Sequence, residues 1–160
     1  PDLSKENGSA NSNLRVDRET SSIPRGSKQS DSDGFKWQYP SERMFHAALA
    51  RKNKAVGEED IPAMLAIHNQ LNESVWAEIM SAWEDKYHSE CGDRRLKRFR
   101  GRPDDLSPLA WWHRWRHAVV PYDRHDWVVE RCGREVRYVI DYYEGGGRLL
   151  LQHPTCTRCC

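Results

Sequence analysis

The run Val136-Arg137-Tyr138-Val139-Ile140-Asp141-Tyr142-Tyr143 is dense in β-branched and aromatic residues. Such residues favour a pleated strand. Upstream, Ile61, Met64/Leu65, His68, Leu71, Val75/Trp76, Ile79 and Trp83 recur every three to four positions. That spacing predicts one long amphipathic helix over about 60–85. Helical periodicity first and strand periodicity later imply an α+β fold. The expectation is a mainly helical small domain with a short antiparallel β-hairpin and a disordered N-terminal tail.

Working outward, Trp127-Val128-Val129 is the partner run, and Cys132-Gly133-Arg134 is compatible with the hairpin connection. Glu58, Glu59, Asp60 and Pro62 suit the first turn of the long helix. A shorter helix should follow Ser41, a good N-cap, with Pro40 marking its boundary and Glu42 favouring its positive end. Residues 109–117 fit a short aromatic helix. Six of the twelve residues from Cys91 to Arg102 are Arg or Lys, and 91–110 reads as an irregular basic connection. Residues 1–34 hold eight Ser and no aromatic before Phe35, too little apolar area to offset ordering entropy. Within them only Ser21-Ser22-Ile23-Pro24-Arg25 is centred on an apolar residue, suggesting an extended docking strand or a linker. Gly145-Gly146-Gly147 should end the ordered part. The expected layout is a tail over 1–34, a domain over 35–147 and an irregular tail over 148–160.

Composition narrows the function. No run approaches the roughly 18 uncharged apolar residues of a spanning helix. The 160 residues carry 25 Lys+Arg and 24 Asp+Glu, which excludes a histone-like polycation. The charge is nevertheless uneven: 91–160 holds 14 basic and 9 acidic side chains, net +5. That half suits an acidic partner, a nucleic acid, an anionic membrane or a propionate-bearing ligand, or is simply a solvated Arg-rich face. The five cysteines are odd in number, with three in the last five residues, and do not read as a disulfide framework. His153, Cys156, Cys159 and Cys160 are too crowded for a four-ligand zinc site. No Met precedes Pro1, so the sequence reads as a fragment or a processed product.

Three groups of residues suggest chemistry. His68 lies within the apolar stripe; by spacing alone it is a core histidine, but an imidazole on an apolar wall also suits a haem iron. Met64, Leu65 and Leu71 would bed a flat ligand, and Asn69, Asn72 or Glu73 would orient the ring. Pro121-Tyr122-Asp123-Arg124-His125-Asp126-Trp127 concentrates charge ahead of a strand, with Arg131 and Arg137 nearby. It reads either as a salt-bridge network or as a carboxylate-binding cluster. Trp112-His113-Arg114-Trp115-Arg116-His117 fits ordinary core with a charged edge first, and equally a nucleic-acid stack or an interfacial anchor after it.

Several blocks together resemble the holocytochrome c synthases, or cytochrome c-type haem lyases. They are Ser21–Arg25, Trp37–Glu42, Met44-Phe45, Ile67-His68-Asn69-Gln70 with Asn72-Glu73, and Trp83-Glu84. Arg98–Gly101, Ser107-Pro108, Pro121–Trp127, Arg131-Cys132-Gly133 and Val136–Tyr143 follow in the family's order. The resemblance covers about 21–146. It implies a lyase that joins haem to the Cys-x-x-Cys-His segment of apocytochrome c through thioether bonds. The implied place is the intermembrane-space side of the mitochondrial inner membrane, peripherally bound. The partners are haem and apocytochrome c; no nucleic acid is expected.

The resemblance makes His68 the iron ligand and Glu73 its catalytic neighbour. Haem binding falls to His68, Trp37, Tyr39, Asn72, Arg124, His125 and Arg131. A mechanism that fits has His68 on one side of the iron and the substrate's histidine on the other, with both substrate thiols beside the vinyl groups. Catalysis would then be chiefly positioning. The chain lacks the family's Cys-Pro motifs, and 148–160 departs from the family's continuation, which suggests truncation. The alternatives are a truncated inactive relative and a non-enzymatic basic binding module.

Overall fold

The computed structural model describes residues 13–26, 36–102 and 105–143, with the backbone of 149–151 and 155–156. It divides into two compact units, Pro1–Ile23 with Lys36–Ala77, and Pro24–Phe35 with Glu78–Cys160. The α+β expectation holds.

In the first unit, β1 (Thr20–Pro24) pairs with β2 (Lys36–Gln38). Helix α1 (Glu42–Arg51) starts as its sequence predicts: the Ser41 hydroxyl accepts from the Met44 N–H at 3.3 Å. Glu42 is buried and takes the Arg15 backbone N–H at 2.8 Å and its Nε at 2.7 Å. A 3₁₀ turn over Glu58–Asp60 leads into α2 (Ile61–Ile79). On α2, Ile61, Val75 and Trp76 face inward, with Leu14 and Ile23 also buried in this unit.

Residues 13–26 therefore correct the expectation of disorder across 1–34; the rest of that tail lies outside the described residues. The physical reason is alternation. Ser21 and Ile23 are 2 % exposed while Thr20 and Ser22 face out, so a strand of low hydropathy still buries one face.

In the second unit the α2 helix passes through a π-turn (Met80–Glu84) into α3 (Asp85–Tyr87). Then come β3 (Arg94–Gly101), α4 (Pro108–His117), β4 (Asp123–Arg131) and β5 (Arg134–Tyr142). The three long strands form an antiparallel sheet in the order β3-β4-β5. Trp127 opposes Tyr138 and Val129 opposes Val136, which puts all four on one buried face with Leu96. Cys132 (φ 45°) and Gly133 (φ 72°) make the two-residue turn, both in the left-handed region that such a hairpin requires.

Three expectations change here. The basic connection of 91–110 contains strand β3, because Leu96 and Phe99 supply inward contacts that charge counting overlooks. A bulge between Leu96 and Arg98 adjusts its register. The charged run from Asp123 lies within β4 and not ahead of it. Beyond residue 147, β6 (Leu149–Leu151) and β7 (Thr155–Cys156) both pair with β5, so ladder bonds extend past the expected end.

Cys91 and Cys132 form a disulfide with Cα atoms 5.7 Å apart, which revises the reading of the cysteines. Parity and crowding at one end misled there: the pair is separated by 41 residues and meets only through the fold. His153, Cys159 and Cys160 lie outside the described residues.

Glu84, like Asp141 of the same unit, is 0 % exposed. Arg131 Nη1 donates to its Oε1 at 2.9 Å, and the Tyr138 hydroxyl donates to the same oxygen. Burial, then this carboxylate, pushes the Tyr138 phenol well above its ordinary range. Glu84→Ala is expected to cost about 3–5 kcal/mol in urea denaturation, because Arg131 loses its partner out of water. Cys91→Ser/Cys132→Ser, or reductant, should cost about 2–4 kcal/mol. Non-reducing peptide mapping should recover those two cysteines as one linked pair.

Candidate functional site

His68 sits half-buried in the middle of α2. Its ring lies 5.4 Å from Phe45 of α1 and 6.4 Å from Tyr39, which meets it edge-on. Along the same helix Met64 and Ile67 are 37 % and 67 % exposed, with Leu65 and Leu71 half-buried. The imidazole thus lies along an apolar helix surface that is only partly covered. Those residues fit a flat apolar ligand carrying a metal, and an imidazole nitrogen suits its iron.

The ring's orientation follows from a short chain of hydrogen bonds. The Asn69 amide Nδ2 donates to Glu19 Oε2 at 2.7 Å. That assignment turns Asn69 Oδ1, an acceptor, toward His68 Nδ1 at 3.3 Å. With Nδ1 donating to that oxygen, Nε2 would keep its lone pair and could serve as a metal ligand. Asn72 Nδ2 lies 3.4 Å from each ring nitrogen, but its short bond, 2.8 Å, is to the His68 carbonyl oxygen. Asn69 and Asn72 are both buried.

Glu73 has a different task. Its carboxylate accepts from Ser21 Oγ at 2.6 Å, the Ser22 backbone N–H at 3.0 Å, Tyr39 Oη at 2.9 Å, and the Ser22 hydroxyl. Burial pulls this carboxyl upward, but the donors from Ser21, Ser22 and Tyr39 outweigh it and hold Glu73 below its ordinary value. Tyr39 is pushed well above its ordinary range, by burial first and by Glu73 as well. Glu73 is accordingly a fastener between α2, β1 and Tyr39. Trp37 lies half-buried in β2 two residues before Tyr39.

The remaining site candidates lie on β4 and its turn, in the second unit. Arg124 Nη2 pairs with Asp126 at 3.2 Å, and its Nη1 donates to the Asp105 carbonyl at 3.2 Å. Asp126 also takes Arg102 and Arg137, at 3.2 and 2.8 Å. Arg131 is held by Glu84. These guanidinium groups therefore have internal structural partners, and their assignment to haem rests on the resemblance alone. His125 Nε2 lies 3.2 Å from Asp123, and its Nδ1 is 3.5 Å from the Tyr142 hydroxyl.

Glu19 was missing from the sequence reading because it falls in a stretch of low hydropathy. The one available signal was the alternation around Ile23, which marks the neighbouring strand as half-buried. The Glu73 fastener makes an acid-sensitive contact. Its folded-state pKa is lowered, so its contribution is present above the ordinary glutamate range and is lost as pH falls through the depressed value. The protection factor of the Ser21–Ile23 amides, their exchange rate relative to the intrinsic rate at the same pH, is therefore expected to fall on acidification below about pH 4. Glu73→Gln should abolish that step and cost about 1.5–3 kcal/mol at neutral pH. A protection factor independent of pH in the unmodified chain would contradict this.

A family model described as cytochrome c/c1 heme lyase matches residues 1–149. Holocytochrome c-type synthase of Gallus gallus is 47% identical over 139 residues, covering 83% of this chain and 49% of the relative. The Homo sapiens protein of that name is 44% identical over 139 residues, covering 83% and 50%. Holocytochrome-c synthase of Saccharomyces cerevisiae is 38% identical over 159 residues, covering 82% and 56%. The chain thus spans about half the length of these relatives. No solved structure matches it. With a match along nearly its whole length, the chain belongs to the cytochrome c/c1 heme lyase family.

Proposed function

We propose that this chain is the haem-holding part of a holocytochrome c synthase, which attaches haem covalently to the Cys-x-x-Cys-His segment of apocytochrome c. The observation that carries the proposal is the Glu19–Asn69–His68 chain, which sets an amide oxygen at His68 Nδ1 and holds the ring beside an apolar helix face in a member of this family. Haem supplies the vinyl groups to which the substrate's thiols add. The chain's own residues position. His68 would hold the iron from Nε2, Asn69 fixes the ring, and Phe45, Met64, Leu65 and Leu71 offer apolar support. Glu73 and Tyr39 keep the N-terminal strand against the same helix.

The proposed location is the intermembrane-space side of the mitochondrial inner membrane, with peripheral attachment. The Cys91–Cys132 disulfide supports an oxidising compartment. Among the described residues no helix is long and apolar enough to cross a membrane.

Haem titration tests the ligand. The chain should give a Soret shift that His68→Ala abolishes. Asn69→Ala should retain binding but weaken it about 10–100-fold, the range for a group that orients a ligating histidine. A Soret band unchanged in His68→Ala would remove the assignment. Covalent product from apocytochrome c tests the activity separately.

A further inference from the structure

Helix α4 carries three tryptophans that the fold leaves in solvent: Trp111, Trp112 and Trp115 are 63 %, 46 % and 72 % exposed. Their composition suggested core, and the structure does not bury them. At about 100° per residue they occupy one arc of about 100°. Arg114 and Arg116 flank that arc, one on each side. Ala110, fully buried, and His113, half-buried, lie opposite. The His113 ring meets Tyr143 edge-on at 6.1 Å, so that opposite side is the one turned to the protein.

The helix is also fastened at its start. Ser107 Oγ caps the Ala110 N–H at 2.9 Å and donates to the buried carboxylate of Asp141 on β5. The tryptophan face is thus presented outward by a fixed element. After the helix, Val119 and Val120 are 46 % and 50 % exposed. From Leu106 to Tyr122 there is no acidic residue, and there are two Arg and two His.

We infer that the α4 tryptophan face and the following valines form a docking surface for an anionic lipid headgroup layer. Tryptophan, amphipathic and large, concentrates at the membrane–water boundary. Flanking arginines add attraction to anionic headgroups, about 1 kcal/mol each near the surface, or about fivefold in affinity. The valines decide between lipid and nucleic acid. An aliphatic side chain has no ring on which a base can stack, but it gains by entering the acyl boundary. The inference rests on the peripheral attachment proposed above and not on the haem reading.

The test is sedimentation of the chain with phosphatidylcholine vesicles, with and without phosphatidylglycerol. Binding should require the anionic lipid and weaken with salt. Trp111→Ala/Trp112→Ala/Trp115→Ala should lower affinity by about tenfold or more. Arg114→Gln/Arg116→Gln should lower it about tenfold or more on anionic vesicles. Both variants should keep the wild-type far-ultraviolet circular dichroism spectrum and cooperative thermal unfolding, which shows that they fold. Vesicle binding that the tryptophan variant retains would overturn the α4 assignment and leave peripheral attachment standing. No vesicle binding by the wild-type chain would overturn both. Concentration-dependent self-association abolished by the tryptophan variant, without vesicle binding, would make the occupant a second copy and also overturn the inference. So would binding to single-stranded oligonucleotide in place of vesicles.

Discussion

The first unit depends on an exchange of carboxylates between α2 and the segment before it. Glu73, on the helix, accepts four hydrogen bonds from Ser21, Ser22 and Tyr39. Glu19, on the segment, accepts the Asn69 amide of the same helix. Each bond to an ionised acceptor is stronger than its neutral counterpart. Together with the burial of Ser21 and Ile23 they order a strand of low hydropathy. The strand then reaches the histidine through Asn69, and Tyr39 joins the two bonds by placing its ring edge against the same imidazole. An acid adjacent to a candidate ligand invites assignment as a proton carrier. A carboxylate saturated by four donors and held below its ordinary pKa is poorly suited to that role and well suited to fastening.

The second unit solves a related problem with opposite faces of one sheet. Trp127, Tyr138 and Val136 make one face apolar, and Glu84 enters it bearing a charge. Its cost is offset by Arg131 and the Tyr138 hydroxyl, because a buried charge persists only when paired and hydrogen-bonded. On the other face Asp126 gathers Arg102, Arg124 and Arg137. Slipping β4 by one residue would send Asp126 to the Glu84 side and Trp127 to the arginines. Both errors are expensive, so the two carboxylates specify the register as strongly as the apolar pattern does.

What was legible in the sequence follows from which forces are local. The cap at Ser41, the Cys132-Gly133 turn and the two periodicities are encoded within a few residues, and each recurs in the structure. The position of His68 on an apolar helix face was equally legible, since spacing sets it. The order of residues 13–26 was not, because it depends on Glu73, some fifty positions away. Strand β3 was hidden by its own charge: only Leu96 is buried among its arginines and lysine. The cysteine pair was hidden by distance along the chain. The tryptophans of α4 show the converse failure. Composition treats an aromatic residue as core, but burial needs an opposing surface, and on the inner side of the helix Ala110 is buried, His113 half-buried and His117 exposed.

The disulfide also bears on the proposed chemistry. Thioether formation consumes substrate thiols that must stay reduced until they meet the vinyl groups. A thiolate on the synthase would compete by exchange, and any substrate disulfide would be open to its attack. Among the described side chains both cysteines, Cys91 and Cys132, are joined to each other, so neither offers a thiolate. They are also in a different unit from His68. The bond closes the hairpin onto the segment that precedes β3. Under the proposed function it would also keep these two sulfurs out of exchange with the substrate's thiols.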